Sequence, residues 1–217
     1  MLRLVAFDMD GTLVDVASSW AAVHAHFGEQ NADGLRRFLA DEIDDEEFIR
    51  TDIVIWRRHR PRLAIADLEG ILEQVPLMPG AADLFRTLRS QGIRTAIVSG
   101  GIDLLARRVA RELGIDVALA NGFRVRSNGE LTGEGIVRVP IWSKGPVLEQ
   151  LQHQLGIPRA ETASVGNSEI DVGLFRQSAF GVAFLPEDDA VRRAADRVVT
   201  QRDLTQVLGA LDAFPPT

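Results

Sequence analysis

Leu4-Val5-Ala6-Phe7-Asp8-Met9-Asp10-Gly11-Thr12-Leu13-Val14 is the stretch that decides the fold. Four apolar residues ended by Asp8 predict a short strand buried on both faces, as in a parallel sheet. Strands of that kind present ligand sites at their carboxyl ends. Here that end carries two carboxylates, Asp8 and Asp10, and then a Gly-Thr turn. Two crowded acids repel each other unless a cation or a proton sits between them. The chemistry this suits is a hard metal ion beside a carboxylate nucleophile of the aspartyl-phosphate type. The competing explanation is a plain Asp-Gly turn after a strand.

Downstream of Val14 the pattern turns helical for about sixty residues. Ser18 or Ser19 caps a predicted helix with Trp20, Val23, His24 and Phe27 at i, i+3, i+4, i+7 spacing, stopped by Gly28. A short helix over 31–40 follows. A third opens on the acidic turn Asp44-Asp45-Glu46-Glu47 and runs to Arg57-Arg58-His59-Arg60 before Pro61. A fourth covers 64–75. From Pro79-Gly80 strands and helices alternate: helix 81–91, strand 94–98, helix 103–113, a short strand 117–120, then a hairpin from 123–127 and 130–132 around a two-residue Asn128-Gly129 turn. A helix opening near Lys144 and ending at Gly156, strand 162–165, strand 180–184, helix 190–195, strand 197–199 and helix 203–211 complete the chain. This alternation predicts an α/β fold with a doubly wound, Rossmann-like parallel sheet. Its core would be residues 1–15 and 77–217, with the helical block 16–76 inserted after the first strand.

Composition narrows the function classes. The 217 residues suffice for one sizeable core and a subdomain. With no cysteine, neither disulfides, thiolate metal sites nor cysteine nucleophiles are available. A net charge of −7 speaks against a nucleic-acid surface. No apolar run approaches the roughly 20 residues that span a bilayer, and Asp8 comes too early for a signal peptide. A soluble cytoplasmic protein acting on a small molecule is the expectation; the oligomeric state is not readable.

Three further polar positions follow predicted strands or open a helix. Ser99 ends strand 94–98 before two glycines, where a hydroxyl and backbone N–H groups can meet an anion; a turn serine is the alternative. Lys144 stands near a helix N-terminus, where a cation is unfavourable against the dipole, although a solvated lysine is the commoner case. Asn167 and Asp171 follow strand 162–165 in a Gly-Asn-Ser turn that is otherwise a loop.

Taken in order, Asp8-Met9-Asp10-Gly11-Thr12, Ser99 after Ala96-Ile97-Val98, Lys144, and Gly166-Asn167-Ser168-Glu169-Ile170-Asp171 resemble the four motifs of the haloacid dehalogenase-like hydrolases. Leu77-Met78-Pro79-Gly80, Val98-Ser99-Gly100-Gly101, Leu119-Ala120-Asn121, Leu131-Thr132-Gly133 and Ala194-Ala195-Asp196 resemble the phosphoserine phosphatase-like branch. The resemblance implies a Mg²⁺-dependent phosphatase acting on a small phosphorylated metabolite. In it Asp8 attacks phosphorus and Asp10 protonates the leaving oxygen and later activates water. It also implies that Thr12, Ser99, Gly100 and Lys144 bind the phosphoryl oxygens. Asp8, Asp10 through its backbone carbonyl, and Asn167 would hold the metal, with Asp171 in or next to its ligand shell. The helical block would be a cap over the site, with Trp20, Phe48, Asp52 and Trp56 as specificity candidates against ordinary helix packing; Ile55 and His59 share that face. The Arg57–Arg60 cluster reads as a solvated helix end.

Two positions depart from the pattern. Asn167 stands where the family usually has an acid. Ala17 stands where a glutamate meets the ammonium group of phosphoserine, and Ile55 and Trp56 fall where a cap arginine would meet its carboxylate. Phosphoserine is therefore not the expected substrate. The rival functions are a phosphate-binding regulatory protein with weakened catalysis, a dehalogenase and a phosphotransferase.

Overall fold

The computed structural model describes residues 1–215; residues 216 and 217 of the expected core segment 77–217 lie outside the described residues. Strand β1 (Leu4–Phe7) lies in the middle of a seven-stranded sheet of order β4-β3-β2-β1-β5-β6-β7. Its neighbours are β2 (Arg94–Ile102) and β5 (Thr162–Gly166); β6 (Phe180–Phe184) and β7 (Arg197–Val199) extend that side. On the other side β3 (Val117–Val125) runs parallel to β2, and only β4 (Leu131–Ile136) is antiparallel.

Alternation along β1 explains why it is apolar on both faces. Val5 and Phe7 enter one hydrophobic cluster with Ile97, Val165 and Val182. Leu4 and Ala6 enter another with Ala96, Val98 and Ala183. All four β1 residues are completely buried. Burying a side chain such as Phe7 contributes about 1.5–3 kcal/mol, so the strand that carries Asp8 is fixed by packing on both sides. In register, Phe7 stands opposite Ile97 and Val165, and the carboxyl ends of β1, β2 and β5 therefore come together.

Four helices, α1 (Ser19–His26), α2 (Ala32–Leu39), α3 (Asp45–His59) and α4 (Ile65–Leu72), form the block between β1 and the rest of the sheet. Ser18, Asn31 and Asp44 cap the first three through side-chain oxygens. The remaining helices are α5 (Ala81–Ser90), α6 (Asp103–Leu113), α7 (Lys144–Leu155), α8 (Val172–Arg176), α9 (Asp189–Ala194) and α10 (Gln206–Leu211). Among the described residues no helix is long and apolar enough to cross a membrane.

Four details differ from expectation. Strand β2 continues through Ser99-Gly100-Gly101 to Ile102 instead of stopping at Val98. Strand β3 is continuous where a break at Asn121-Gly122 was expected. Asn121 supplies the reason: its Nδ2 donates to the carbonyls of Gly100 (3.2 Å) and Val139 (2.9 Å), and its Oδ1 accepts from the N–H groups of Arg138 (2.8 Å) and Val139 (2.9 Å). A side chain thus satisfies backbone groups where β3 changes partner from β2 to β4. The hairpin turn is longer than two residues, closed by the Arg126 N–H on the Glu130 carbonyl at 2.8 Å. The Arg57–Arg60 cluster is also not a purely solvated end. Arg57 donates to the carbonyls of Leu131 and Thr132 on β4, and Arg60 pairs with Asp67 at 2.7 Å.

Candidate active site

At the carboxyl end of β1, Asp8 is 5% exposed. Lys144, the first residue of α7, is equally buried, and its Nζ donates to Asp8 Oδ1 and Asp171 Oδ1, both at 2.7 Å. Burial alone would lower the lysine's pKa, but Asp171 and Asp8 hold it above its ordinary value. The two carboxylates also explain how a cation is tolerated at a helix N-terminus. Burial, aided by the charge of Asp171, raises Asp8 from 3.8 to about 6 against the pull of Lys144.

Asp10 has different surroundings. Its Oδ2 accepts from the Ser19 N–H (2.7 Å) and hydroxyl (2.8 Å), while its buried Oδ1 has no hydrogen-bond partner. Burial raises its pKa to about 7; the Ser19 bonds oppose the rise and the charge of Asp8 adds to it. Ser19 Oγ also accepts from the Ile102 N–H at 2.9 Å, joining α1 to the end of β2. This role was missed by the sequence, in which Ser19 is only an alternative cap to Ser18. Gly101 makes the approach feasible: a Cβ there would lie 2.8 Å from both Asp10 Oδ2 and Ser19 Oγ.

Ser99 and Gly100 face the same cavity as Asp8, Asp10, Lys144 and Asn167. Ser99 Oγ accepts from the Gly101 N–H at 3.2 Å. Two other motif residues lie deeper. Thr12 is completely buried, is not part of the cavity wall, and sits 3.5 Å through Oγ1 from Asn167 Oδ1. Its hydroxyl is directed toward Asn167 in this arrangement. Asp171 is also completely buried behind the wall: Oδ1 is taken by Lys144, and Oδ2 accepts from the N–H groups of Asn167 (2.9 Å) and Ser168 (3.1 Å). In this arrangement both oxygens are used in orienting Lys144 and the Asn167 turn.

Asn167 lines the cavity, and its Nδ2 donates to Glu187 Oε1 at 3.0 Å. That bond fixes the amide so that Oδ1, the end able to ligate a cation, lies on the Thr12 side. Gly11 adopts φ +72°, and a Cβ there would meet Asn167 Nδ2 at 2.4 Å. Glu187 follows β6 and was missed by sequence reasoning; an acid just beyond another parallel strand's carboxyl end was the available signal. Among the described residues no group of three or more His, Cys, Asp or Glu is arranged to hold a metal ion. A cation here would take a mixed oxygen set: the Asp8 carboxylate, the Asp10 carbonyl and Asn167 Oδ1.

The helical block forms the opposite wall. Trp20, Phe48 and Asp52 line the cavity. Trp56 does not; it is completely buried, stacked on Trp20 at 6.1 Å and donating its indole N–H to His24 Nδ1 at 3.1 Å. An indole only donates, so Nδ1 accepts and His24 Nε2 carries the proton toward Asp52 Oδ1, 2.7 Å away. Asn31 Nδ2 donates to the same oxygen at 2.6 Å. Trp56 thus positions the His24–Asp52 pair from behind. Trp142, unnoticed in the sequence, is a further wall residue, and Ala17 lines the cavity as well.

Comparison with known proteins places the chain in a family. A family described as haloacid dehalogenase-like hydrolase matches residues 5–176. The phosphoserine phosphatase of Idiomarina loihiensis is 30% identical, covering 96% of this chain and 93% of its own. That of Methanocaldococcus jannaschii is 28% identical, covering 95% and 96%. Among solved structures, a phospho-aspartyl intermediate analogue of phosphoserine phosphatase superposes with a TM-score of 0.80 at 25% identity, over 96% of this chain and 98% of the other. With paired aspartates just beyond the carboxyl end of β1, a serine on β2 and a lysine opening α7, the chain belongs to the haloacid dehalogenase-like hydrolases, in their phosphoserine phosphatase-like branch.

Proposed function

We propose that the protein is a phosphatase that hydrolyses a phosphomonoester through an aspartyl-phosphate intermediate, with residues 16–76 acting as a cap. The observation that carries this is the contrast between two neighbouring carboxylates. Asp8 lies against Lys144, while Asp10 keeps one buried oxygen unpartnered and a pKa of about 7. Burial raises the pKa of both acids, but only Asp8 is held by a cation, as suits an attacking carboxylate, whereas Asp10 keeps a free buried oxygen able to carry a proton. Asp8 attacks phosphorus, and the bond to the alcohol oxygen breaks as Asp10 gives that oxygen its proton. Asp10 then takes a proton from water, whose oxygen attacks phosphorus and frees Asp8 and inorganic phosphate. Lys144, Ser99 and the Gly100 N–H offset charge on the phosphoryl oxygens.

Mg²⁺ suits the hard oxygen set of Asp8, the Asp10 carbonyl and Asn167 Oδ1. When bound it neutralises charge on the phosphoryl group. Glu187 supplies, one atom further out, the negative charge that Asn167 lacks, as the 3.0 Å bond between them supports.

Phosphate release from a panel of monoesters, with Mg²⁺ or with a chelator, tests the activity, and the Asp8→Asn protein serves as the blank. Release that depends on Asp8 and Mg²⁺ supports it. Binding of phosphate without turnover would favour a regulatory protein.

A further inference from the structure

The organic half of the substrate has its own surroundings. From Asp8 and Asp10 a cavity of about 600 Å³ extends past Trp20, Leu35, Leu39, Phe48, Ile49 and Trp142. Leu35, Leu39 and Trp142 are 47%, 60% and 56% exposed, and they gather around this one cavity. Isolated exposed apolar residues need no explanation, whereas a contiguous group beside a site marks a ligand or a partner.

Charge narrows the ligand. Lys144 is the one lysine or arginine among the described residues that line the cavity, and Asp8 and Asp171 already hold its ammonium group. His24 is engaged at both ring nitrogens, by Trp56 and Asp52. Arg57 is turned away onto β4. The other charged residues facing the cavity, Asp45, Asp52 and Glu187, are acids. A substrate carboxylate would be buried there without a counter-charge.

We propose that the cavity takes the phosphate monoester of an apolar alcohol without a carboxylate. Its hydrocarbon lies against Trp20, Phe48 and Ile49 and emerges between α2 and Trp142. Continuity of the apolar wall with the phosphoryl site favours this occupant over a second copy of the chain. The proposal rests on the phosphatase activity above.

The test compares kcat/KM for ethyl, butyl and octyl phosphate at sub-micellar concentrations with that for L-phosphoserine, with Mg²⁺ present. All four are esters of primary alcohols, so differences in leaving-group chemistry stay small beside differences in fit. The expected result is a rise of at least about tenfold from ethyl to octyl, since the burial of two methylenes already suffices for that. Octyl phosphate then exceeds phosphoserine, and the exposed-residue variants Leu39→Ser and Trp142→Ala flatten the series. A flat series, or phosphoserine as the best substrate, overturns the proposal and leaves the phosphatase activity standing. A flat series together with dimerisation that Trp142→Ala abolishes assigns the apolar face to a second copy, and also overturns it. No phosphate from any ester, p-nitrophenyl phosphate included, overturns the proposal and the activity together.

Discussion

The two walls of the cavity are built on opposite principles. At the sheet end, charged groups are buried and held in fixed pairs: Lys144 between Asp8 and Asp171, and Asp10 on Ser19. At the helical wall the surface is mostly apolar, interrupted by the His24–Asp52–Asn31 cluster. Buried charge tolerates no displacement, because a partner removed leaves an ion unpaired. Apolar contact is graded with area and tolerates exchange. If the chemistry is held at one wall and selectivity at the other, as the proposed function has it, mutation should separate them.

The largest effect is expected at Asp8. Asp8→Asn keeps the shape of the side chain but cannot attack phosphorus, and turnover should fall more than about 100-fold with an unchanged circular dichroism spectrum. Phe48→Ala on the other wall should mainly raise KM, by about tenfold or less. Equal losses in kcat for both variants would break the division. Lys144→Met comes next. It strips Asp8 and Asp171 of their shared cation, and the loss of a buried partner typically costs about 3–5 kcal/mol. Urea unfolding should show the loss at pH 8 and less of it at pH 5, where Asp8 can take up a proton.

A smaller effect sharpens the description of the sheet end. Glu187→Gln should raise the Mg²⁺ concentration for half-maximal rate by roughly tenfold. Asn167→Asp should lower it, and by placing a second carboxylate beside Glu187 should also depress the Tm measured in chelator. Mg²⁺ titration of rate and of Tm checks both. Overlapping curves for Asn167→Asp and wild type would put residue 167 outside the ligand shell.

The smallest expected effect is a slope. In chelator, a folded-state pKa of about 7 for Asp10 against 3.8 unfolded means that the native state holds a proton the unfolded chain has released. Stability should therefore be fully present near pH 4 and fall as pH rises to about 7. Asp10→Asn should flatten that fall; Asp8, near 6, leaves a residual slope in the same window. Unfolding midpoints of the two proteins from pH 4 to 8 measure it.

The sheet end was legible because its signals are local: an apolar run, then an acid, at a strand end that only one register permits. Motif order placed Asp8, Asp10, Ser99, Lys144 and Asn167 around one cavity. Depth within the site was not legible. Thr12 and Asp171 stand in the motifs beside wall residues, yet hydrogen bonding draws them behind the wall. Periodicity failed likewise on α3, where Phe48 and Trp56 share a helical face but one lines the cavity and the other is completely buried. Which part of a face meets a cavity depends on the helix packed opposite, here α1 with Trp20 and His24. Asn121-Gly122 misled for a related reason: a turn-forming pair remains in a strand because the Asn121 amide bonds four backbone groups from other segments.

The β3–β4 hairpin has a consequence for traffic into the cavity. Ile65 N–H bonds the Gly129 carbonyl at 3.0 Å, Leu131 N–H bonds the Leu63 carbonyl at 2.9 Å, and Arg57 bonds Leu131 and Thr132. Ile49 lies so close to Gly135 that a Cβ there would come within 2.8 Å of it. These bonds tie the end of α3 and the start of α4 to the hairpin, so opening the helical block as one piece would have to break them. The short helix α2, which packs mainly on α3, is the leaf left to move. Opening the gap between α2 and Trp142 would break fewer of these bonds than swinging the whole helical block.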